Sequence, residues 1–278
     1  MARLPLFLSP TSLDLAWGRP RENLRRIQAA VDAGLRAHPK VPPEARLFLF
    51  PELALTGFVT EAPPSFRLEP PAPVLASLRR FARSRRVAIA AGFPERNPAD
   101  RRRPFNTLAV FGSDGEVAGS YRKIHRFTWG KNPETEAYSA GDAGSVFVHR
   151  GWKVGLAVCF DIRFSGLFHQ YARAGTDLVL VAACWIGGPH KTYQFKTLNA
   201  GHAIHMQSYL AAVNRSGRDP FFEYDGAEYL FSPFGEDLSR GRPVELKASE
   251  LEAARKLVVR PSDRASYRVV ETGKRPVR

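Results

Sequence analysis

Lys153-Val154-Gly155-Leu156-Ala157-Val158-Cys159-Phe160-Asp161-Ile162-Arg163-Phe164 is the stretch on which the reading of the fold turns. An apolar run breaks at a thiol, and an acid and an arginine follow at once. A strand ending this way delivers its cysteine to the carboxyl edge of a sheet, where ligand sites in open α/β proteins lie. A buried cysteine is more often an inert small hydrophobe. Cys159 departs from that pattern because it ends the run, and thiolate chemistry needs exposure and polar neighbours. Cys184 follows a similar run, Val181-Ala182-Ala183, but no acid or cation comes after it. It reads as packing or pocket lining.

Two other segments carry charge at strand ends. Leu47-Phe48-Leu49-Phe50-Pro51-Glu52 closes on a carboxylate, and Ser120-Tyr121-Arg122-Lys123-Ile124-His125 supplies a cation. A carboxylate after such a run is costly to bury without partners. Glu52 therefore either satisfies backbone donors in a loop or serves as a general base. Lys123 is either an ordinary cation of a basic stretch or an electrostatic donor to a developing oxyanion. On a strand, His125 would share a face with Lys123; it reads as structural and not as the base. A base, a cation and a thiol at run ends are the parts of a covalent acyl-transfer enzyme.

Elsewhere the pattern alternates helices and strands. Leu24, Ile27, Val31 and Leu35 mark one face of a helix over residues 19–38, with Pro20 in its first turn. A strand over 46–50 follows, then a proline-rich surface connection over 63–73 and a second helix carrying Val74, Leu75, Leu78, Phe81 and Ala82. The segments 87–93, 146–148, 153–158, 177–183 and 209–213 read as strands, and 165–174, 193–207 and 245–256 as helices. Residues 107–111 and 116–121 form a hairpin around Ser113-Asp114-Gly115. One more hairpin edge is expected at 228–232 with Gly235-Glu236, and 127–144 reads as a long functional loop. No low-complexity linker divides the chain, so residues 1–278 are expected to form a single domain with a basic C-terminal arm over about 261–278. Two packed sheets with helices on both outer sides fit this order.

The 278 residues are 44% hydrophobic, enough for a sizeable core, and no window of 18 apolar residues suggests a membrane span. The apolar patch in residues 1–10 is short and broken by proline, so it reads as a first strand and not as a signal peptide. Two cysteines give no disulfide framework, which points to a reducing cytoplasm. The net charge of +14 is scattered, mostly as arginine beside 22 Pro and 22 Gly. This reads as a solvated basic surface that attracts anionic small molecules, rather than as a nucleic-acid stripe. Neither a phosphate-cradling glycine loop nor a zinc spacing of Cys and His is present, so neither cofactor nor metal is expected.

The three run-ends resemble the nitrilase superfamily, the carbon–nitrogen hydrolases. The matching segments are Phe50-Pro51-Glu52-Leu53-Ala54-Leu55-Thr56-Gly57-Phe58, Tyr121-Arg122-Lys123-Ile124-His125 and Val158-Cys159-Phe160-Asp161-Ile162-Arg163-Phe164. They occur in family order, and the likeness extends to Asn214-Arg215-Ser216-Gly217 and Ser232-Pro233-Phe234-Gly235-Glu236. The resemblance implies a four-layer α-β-β-α sandwich, a homodimer or larger homo-oligomer, and cofactor-free catalysis. It assigns Glu52 as base, Lys123 and the backbone N–H of Phe160 as oxyanion donors, and Cys159 as the nucleophile that forms a thioester. It also implies a second glutamate in the loop after the lysine, seven residues before a glycine. Glu134 stands so before Gly141 and is preferred to Glu136.

The run Cys-Phe-Asp-Ile-Arg-Phe looks like the ω-amidase and deaminated-glutathione amidase branch, which hydrolyses amides of carboxylated substrates. Arg163 and Trp185 are accordingly candidate substrate contacts, although Arg163 reads equally well as a partner of Asp161. Two departures touch substrate choice and local packing. His202-Ala203-Ile204-His205-Met206-Gln207 replaces the usual Arg-Ala-x-Glu-Asn-Gln, and Ser165 stands where a proline is common. The expected reaction is hydrolysis of a small amide to acid and ammonia. A carbamoyl or nitrile substrate on the same triad, and a non-catalytic scaffold or nucleic-acid binder, are the competing readings.

Overall fold

The computed structural model describes residues 2–58, 72–128 and 133–257. Most of the expected proline-rich connection, part of the long loop and the whole of the expected basic arm lie outside the described residues. Two sheets stack face to face. The first has strand order β11-β1-β2-β3-β4-β5, made of β1 (Phe7–Pro10), β2 (Arg46–Leu49), β3 (Ala88–Glu95), β4 (Phe105–Phe111), β5 (Val117–Arg122) and β11 (Val244–Glu245). The second runs β10-β9-β8-β7-β6, from β6 (Ser145–His149), β7 (Trp152–Val158), β8 (Leu178–Ala183), β9 (Tyr209–Arg218) and β10 (Glu223–Phe231).

Strand alternation divides the core. Leu47 and Leu49, Ala88 and Ala90, and Leu108 and Val110 face the second sheet. Their neighbours Phe48 and Phe50, Ile89 and Ala91, and Ala109 and Phe111 pack instead on α1 (Pro20–Ala37) and α2 (Ala72–Arg85). With both faces covered, these strands read as continuous apolar runs. The second sheet is covered by α4 (Ser165–Arg173) and α5 (Lys191–Met206), which contribute Phe168, Tyr171, Phe195 and Met206 to its core. The layers are therefore α-β-β-α. Among the described residues no helix is long and apolar enough to cross a membrane.

Several boundaries differ from the sequence expectation. The strand at 209–213 runs on to Arg218 and pairs antiparallel with β10, which begins at Glu223. Polar residues on the outer part of this hairpin hid it from a search for apolar runs. The hairpin edge expected beyond 232 is only a turn, closed by a bridge between Phe231 and Asp237. The long loop contains one helical turn, α3 (Glu134–Ala137), and the last helix, α6 (Ala248–Leu257), starts three residues late because Val244 and Glu245 pair with β1.

One buried carboxylate ties the ends of the described chain together. Asp177, at the head of β8, accepts from Arg3 Nη2 at 3.1 Å, Arg255 Nη2 at 2.8 Å and the Lys153 amide at 3.0 Å. Burial opposes its charge, but these donors hold its pKa below the usual carboxylate value. Such a group contributes stability above its unfolded pKa, and that contribution is lost as pH falls through the folded value. Removing one member of a buried pair costs about 3–5 kcal/mol, and the partial exposure of both arginines places Asp177→Ala near the low end. Urea unfolding at pH 7 should show this loss, and the difference between wild type and variant should narrow toward pH 3.

Candidate active site

Glu52, Lys123 and Glu134 come from three separate loops and meet in a buried ion cluster. Lys123 Nζ donates to Glu52 Oε1 at 2.8 Å and to Glu134 Oε2 at 2.7 Å, with all three side chains at most 1% exposed. Burial alone would lower the lysine's pKa, but Glu134 and then Glu52 outweigh it and hold the ammonium well above its ordinary value. Burial raises the pKa of Glu134, against the pull of Lys123 and with the push of Glu52. Lys123 sits one residue beyond β5 and not within a strand. The chain leaves the sheet there, and the Lys123 carbonyl accepts from the Gly141 amide at 2.8 Å.

Asn106 completes the cluster, and sequence reasoning did not single it out. Its amide Nδ2 donates to Glu52 Oε1 at 2.7 Å and to Glu134 Oε1 at 3.0 Å, from within β4. The one available signal was an amide in the otherwise apolar run Phe105-Asn106-Thr107-Leu108. The other Glu52 oxygen, Oε2, accepts from the Cys184 amide at 2.8 Å, while the Cys184 thiol donates to the Glu52 carbonyl at 3.2 Å. The Glu52 loop packs hard against β3. A Cβ on Gly92 would lie 2.3 Å from the Leu53 nitrogen, so only glycine fits there.

Cys159 stands where β7 gives way to a 3-10 turn, Cys159–Arg163, with φ at +47°. A non-glycine residue rarely adopts this conformation, and surrounding structure must hold it. Asp161 does the holding. Its Oδ2 accepts from the Val158 amide at 2.8 Å and the Tyr121 hydroxyl at 2.9 Å; its Oδ1 accepts from the His125 amide at 3.0 Å and faces His125 Nδ1 at 2.8 Å. From the other side, His202 Nε2–H donates to the Ile162 carbonyl at 2.8 Å, and its ring stacks on Phe168. Burial raises the Cys159 pKa, the negative charge of Glu52 raises it further, and Lys123 opposes both. These surroundings favour the thiol over the thiolate.

A cavity of about 80 Å³ opens beside this thiol, lined by Lys123, Phe127, Cys159, Phe160, Arg163, Cys184, Trp185 and Lys191 among others. Arg163 does not pair with Asp161, whose oxygens are taken up as described. Its Nη2 donates to Gln194 at 2.7 Å, and its guanidinium lies 4.8 Å from the Trp185 ring centre. Trp185 is fixed by Asn214, which accepts from its amide at 2.7 Å and donates to its carbonyl at 2.9 Å. Glu136 is exposed, unlike Glu134. Phe160 lies in the first turn after Cys159, where backbone N–H groups lack intrahelical acceptors. Among the described residues, no group of three His, Cys, Asp or Glu side chains could hold a metal ion.

The family model "Carbon-nitrogen hydrolase" matches residues 12–248, and the chain belongs to that family. With its nitrilase-type sandwich, it is a carbon–nitrogen hydrolase of the amidase kind. It is 26% identical to the 2-oxoglutaramate amidase of Bacillus subtilis, over 92% of this chain and 94% of that protein. It is 30% identical to the omega-amidase NIT2 of Bos taurus, over 72% of this chain and 74% of that one. Among solved structures, a CN-hydrolase superfamily protein of Xanthomonas campestris with an arsenic adduct in its active site superimposes with a TM-score of 0.79. That match is 24% identical and covers 96% of this chain and all of the other. Nit3 of Saccharomyces cerevisiae matches at 0.78 and 20%, covering 92% and 94% of the two chains.

Deleting the cation of the cluster would strand two buried carboxylates. Lys123→Met should lose about 3–5 kcal/mol at pH 7. The loss should shrink as pH is lowered, because burial raises the pKa of Glu134 and its protonation removes the repulsion. Chemical denaturation of wild type and variant at pH 7 and pH 5 measures both effects.

Proposed function

We propose that the enzyme hydrolyses a small carboxylated ω-amide to the acid and ammonia through a thioester on Cys159. The observation that carries this reading is the buried ion cluster of Glu52, Lys123 and Glu134, whose lysine lines the Cys159 cavity. An ammonium has three N–H donors and a carboxylate about four acceptor sites. Lys123 uses two donors on the glutamates, so one remains for an oxyanion. Glu52 accepts three hydrogen bonds, from Lys123, Asn106 and the Cys184 amide, so one site remains for a proton.

The reaction follows from this inventory. As the Cys159 sulfur bonds to the amide carbon, its proton passes to Glu52. Lys123 and the Phe160 N–H hold the resulting oxyanion. Glu52 returns the proton to the nitrogen, the carbon–nitrogen bond breaks and ammonia leaves. Glu52 then takes a proton from water as it attacks the thioester, and the thiol is restored with release of the acid. Glu134 holds Lys123 in place and, through Asn106, fixes its distance from Glu52.

The carboxylated substrate rests on Arg163 and Lys191, two cations that line the cavity beside the Trp185 ring, 4.8 Å and 5.9 Å from its centre. The similarity to proteins named 2-oxoglutaramate amidase and omega-amidase supports the same substrate class. A mutant of the amidase from Nesterenkonia sp. AN1 carries the acetamide moiety of fluoroacetamide on its active-site cysteine, which supports attack by a cysteine. A homodimer or larger assembly belongs to this reading, since Phe164, Tyr193, Ile204 and Phe234 expose apolar surface. A reducing cytoplasm suits two free thiols.

Ammonia release from a panel of amides tests the proposal. Carboxylated ω-amides should exceed neutral amides of equal length, and carbamoyl or nitrile compounds should be poor. Arg163→Ala should erode that preference by roughly ten- to a hundredfold, as a charged hydrogen bond of about 1.5–3 kcal/mol implies. Cys159→Ala should abolish turnover with the fold intact, and Glu52→Gln should slow acylation and deacylation together. Mass spectrometry with a slow amide should find the acyl group on Cys159; an adduct on Cys184 would overturn the mechanism.

A further inference from the structure

A second cavity, of about 190 Å³, lies on the other side of the first sheet. It is lined by the C-terminal part of α1 (Ala30, Gly34 and His38), by Ser9 and Thr11 around the end of β1, by Arg46 and Phe48 of β2, and by Ser239–Val244 before β11. It shares no residue with the Cys159 cavity. Arg46 opens β2, whose other end leads into the Glu52 loop.

Arg46 is the anomaly here. Its residue is 1% exposed, yet among the described residues no carboxylate lies within ion-pair distance of it. A guanidinium cannot shed its charge in a protein, and a buried charge without a partner is strongly unfavourable. Nη1 donates to the Gly34 carbonyl at 2.8 Å, Nη2 reaches Ser9 Oγ only at 3.4 Å, and Nε is buried with no partner. Burial is the one cause acting on its pKa, and it acts downward, so no neighbouring charge compensates. The chain makes room for this arrangement. A Cβ on Gly34, inside α1, would lie 3.2 Å from Nη2 and 2.9 Å from the Phe48 ring.

The rim continues the same charge. Arg240 donates only to the backbone carbonyls of Asp237 and Ser239, and Arg242 has no carboxylate partner among the described residues. Glu228 is the single acid on the wall, and its Oε1 accepts from the Ser12 amide at 2.7 Å. Burial raises the pKa of Glu228, which weakens its claim to act as the counter-ion. Three arginines and the hydroxyl residues Ser9, Thr11 and Ser239 thus line a space large enough for a small oxyanion. Guanidinium forks match phosphate oxygens in pairs.

We propose that this cavity is a second ligand site, which takes a small phosphate-class oxyanion with Arg46 as its buried anchor and Arg240 and Arg242 at its mouth. The ligand is inorganic phosphate or the phosphoryl group of a small monoester, and it supplies the counter-charge that the fold leaves out.

Thermal unfolding of the full chain at constant ionic strength tests this. Inorganic phosphate should raise Tm with the logarithm of its concentration, as a ligand of the native state does, while added chloride should not. A small phosphate monoester run beside it identifies the source: a larger effect from the monoester assigns the site to phosphoryl groups, an equal or smaller one to free phosphate. Arg240→Ala/Arg242→Ala, both exposed, should weaken the apparent Kd at least tenfold, whereas Arg163→Ala in the other cavity should leave it unchanged. Arg46→Met should abolish the phosphate response. No response beyond chloride, an equal response to succinate, or a response untouched by the double variant would overturn the proposal. The last outcome would leave Arg46 as a cap on the end of α1. None of these outcomes bears on ammonia release, so the proposed reaction stands or falls separately.

Discussion

A lysine ammonium held between two glutamates in a space closed to water is the constraint from which the rest of the architecture follows. Taking such charges out of solvent costs several kcal/mol for each ion, repaid only when the geometry is tight and the spare lone pairs are satisfied. Here the three groups arrive from the ends of β2 and β5 and from α3. Their spare sites are filled by Asn106, the Cys184 amide and the Phe127 amide. Each requirement fixes a piece of backbone: a glycine on β3 where the Glu52 loop presses in, an amide in the apolar strand β4, and a helical turn inside a long loop. The sandwich supplies rigid strand ends, and the ion cluster dictates how their loops close.

The Cys159 turn depends on a second anchor, linked to the first. Asp161 holds this strained turn, and through Tyr121 and His125 it also grips the segment that carries Lys123. The Cys159 thiol and the Lys123 ammonium are therefore referred to one carboxylate, so their separation is set by short hydrogen bonds and not by two independent loops. The same surroundings favour the thiol, because burial and Glu52 both oppose a thiolate. In the proposed reaction, proton transfer to Glu52 therefore accompanies attack by the sulfur.

How much of this was legible in the sequence depended on whether the signal was local. Glu52 and Cys159 each end an apolar run, and that break is visible in a single line of residues, whereas Lys123 stands in a basic stretch and was picked out by its place between them. The layer order was readable for the same reason, since β2, β7 and β8 are apolar on both faces and alternate with amphipathic helices. Glu134 depended on the family resemblance, because its loop has no periodicity. Asn106 was missed since one amide in a strand looks like any surface residue until its fold partners are known. The Arg163 alternative failed on a matter of reach: the 3-10 turn points that side chain toward α5 and Trp185, while Asp161 turns inward to the backbone and Tyr121. The β9–β10 hairpin was hidden because its outer half is polar, and Arg46 because a charge opening an apolar strand looks solvated until α1 closes over it.

The sign of the charge around the catalytic cavity argues for the direction in which a substrate enters. Glu52 and Glu134 against Lys123 leave one negative charge at the buried end, next to the thiol. Arg163 and Lys191 place positive charge beside Trp185 in the lining of the same cavity. In the proposed reaction a carboxylate is repelled by the first and attracted by the second, so an ω-amide is driven in with its neutral amide leading. The chain of atoms between amide and carboxylate then has to span the distance from Cys159 to the Trp185 wall, and the apolar faces of Phe58, Phe127 and Trp185 line that span. Selectivity for length is thereby set by the separation of two opposite charges, and selectivity for an amide over an acid by the negative floor. A product carrying a second carboxylate is expelled by the same field that admitted its precursor.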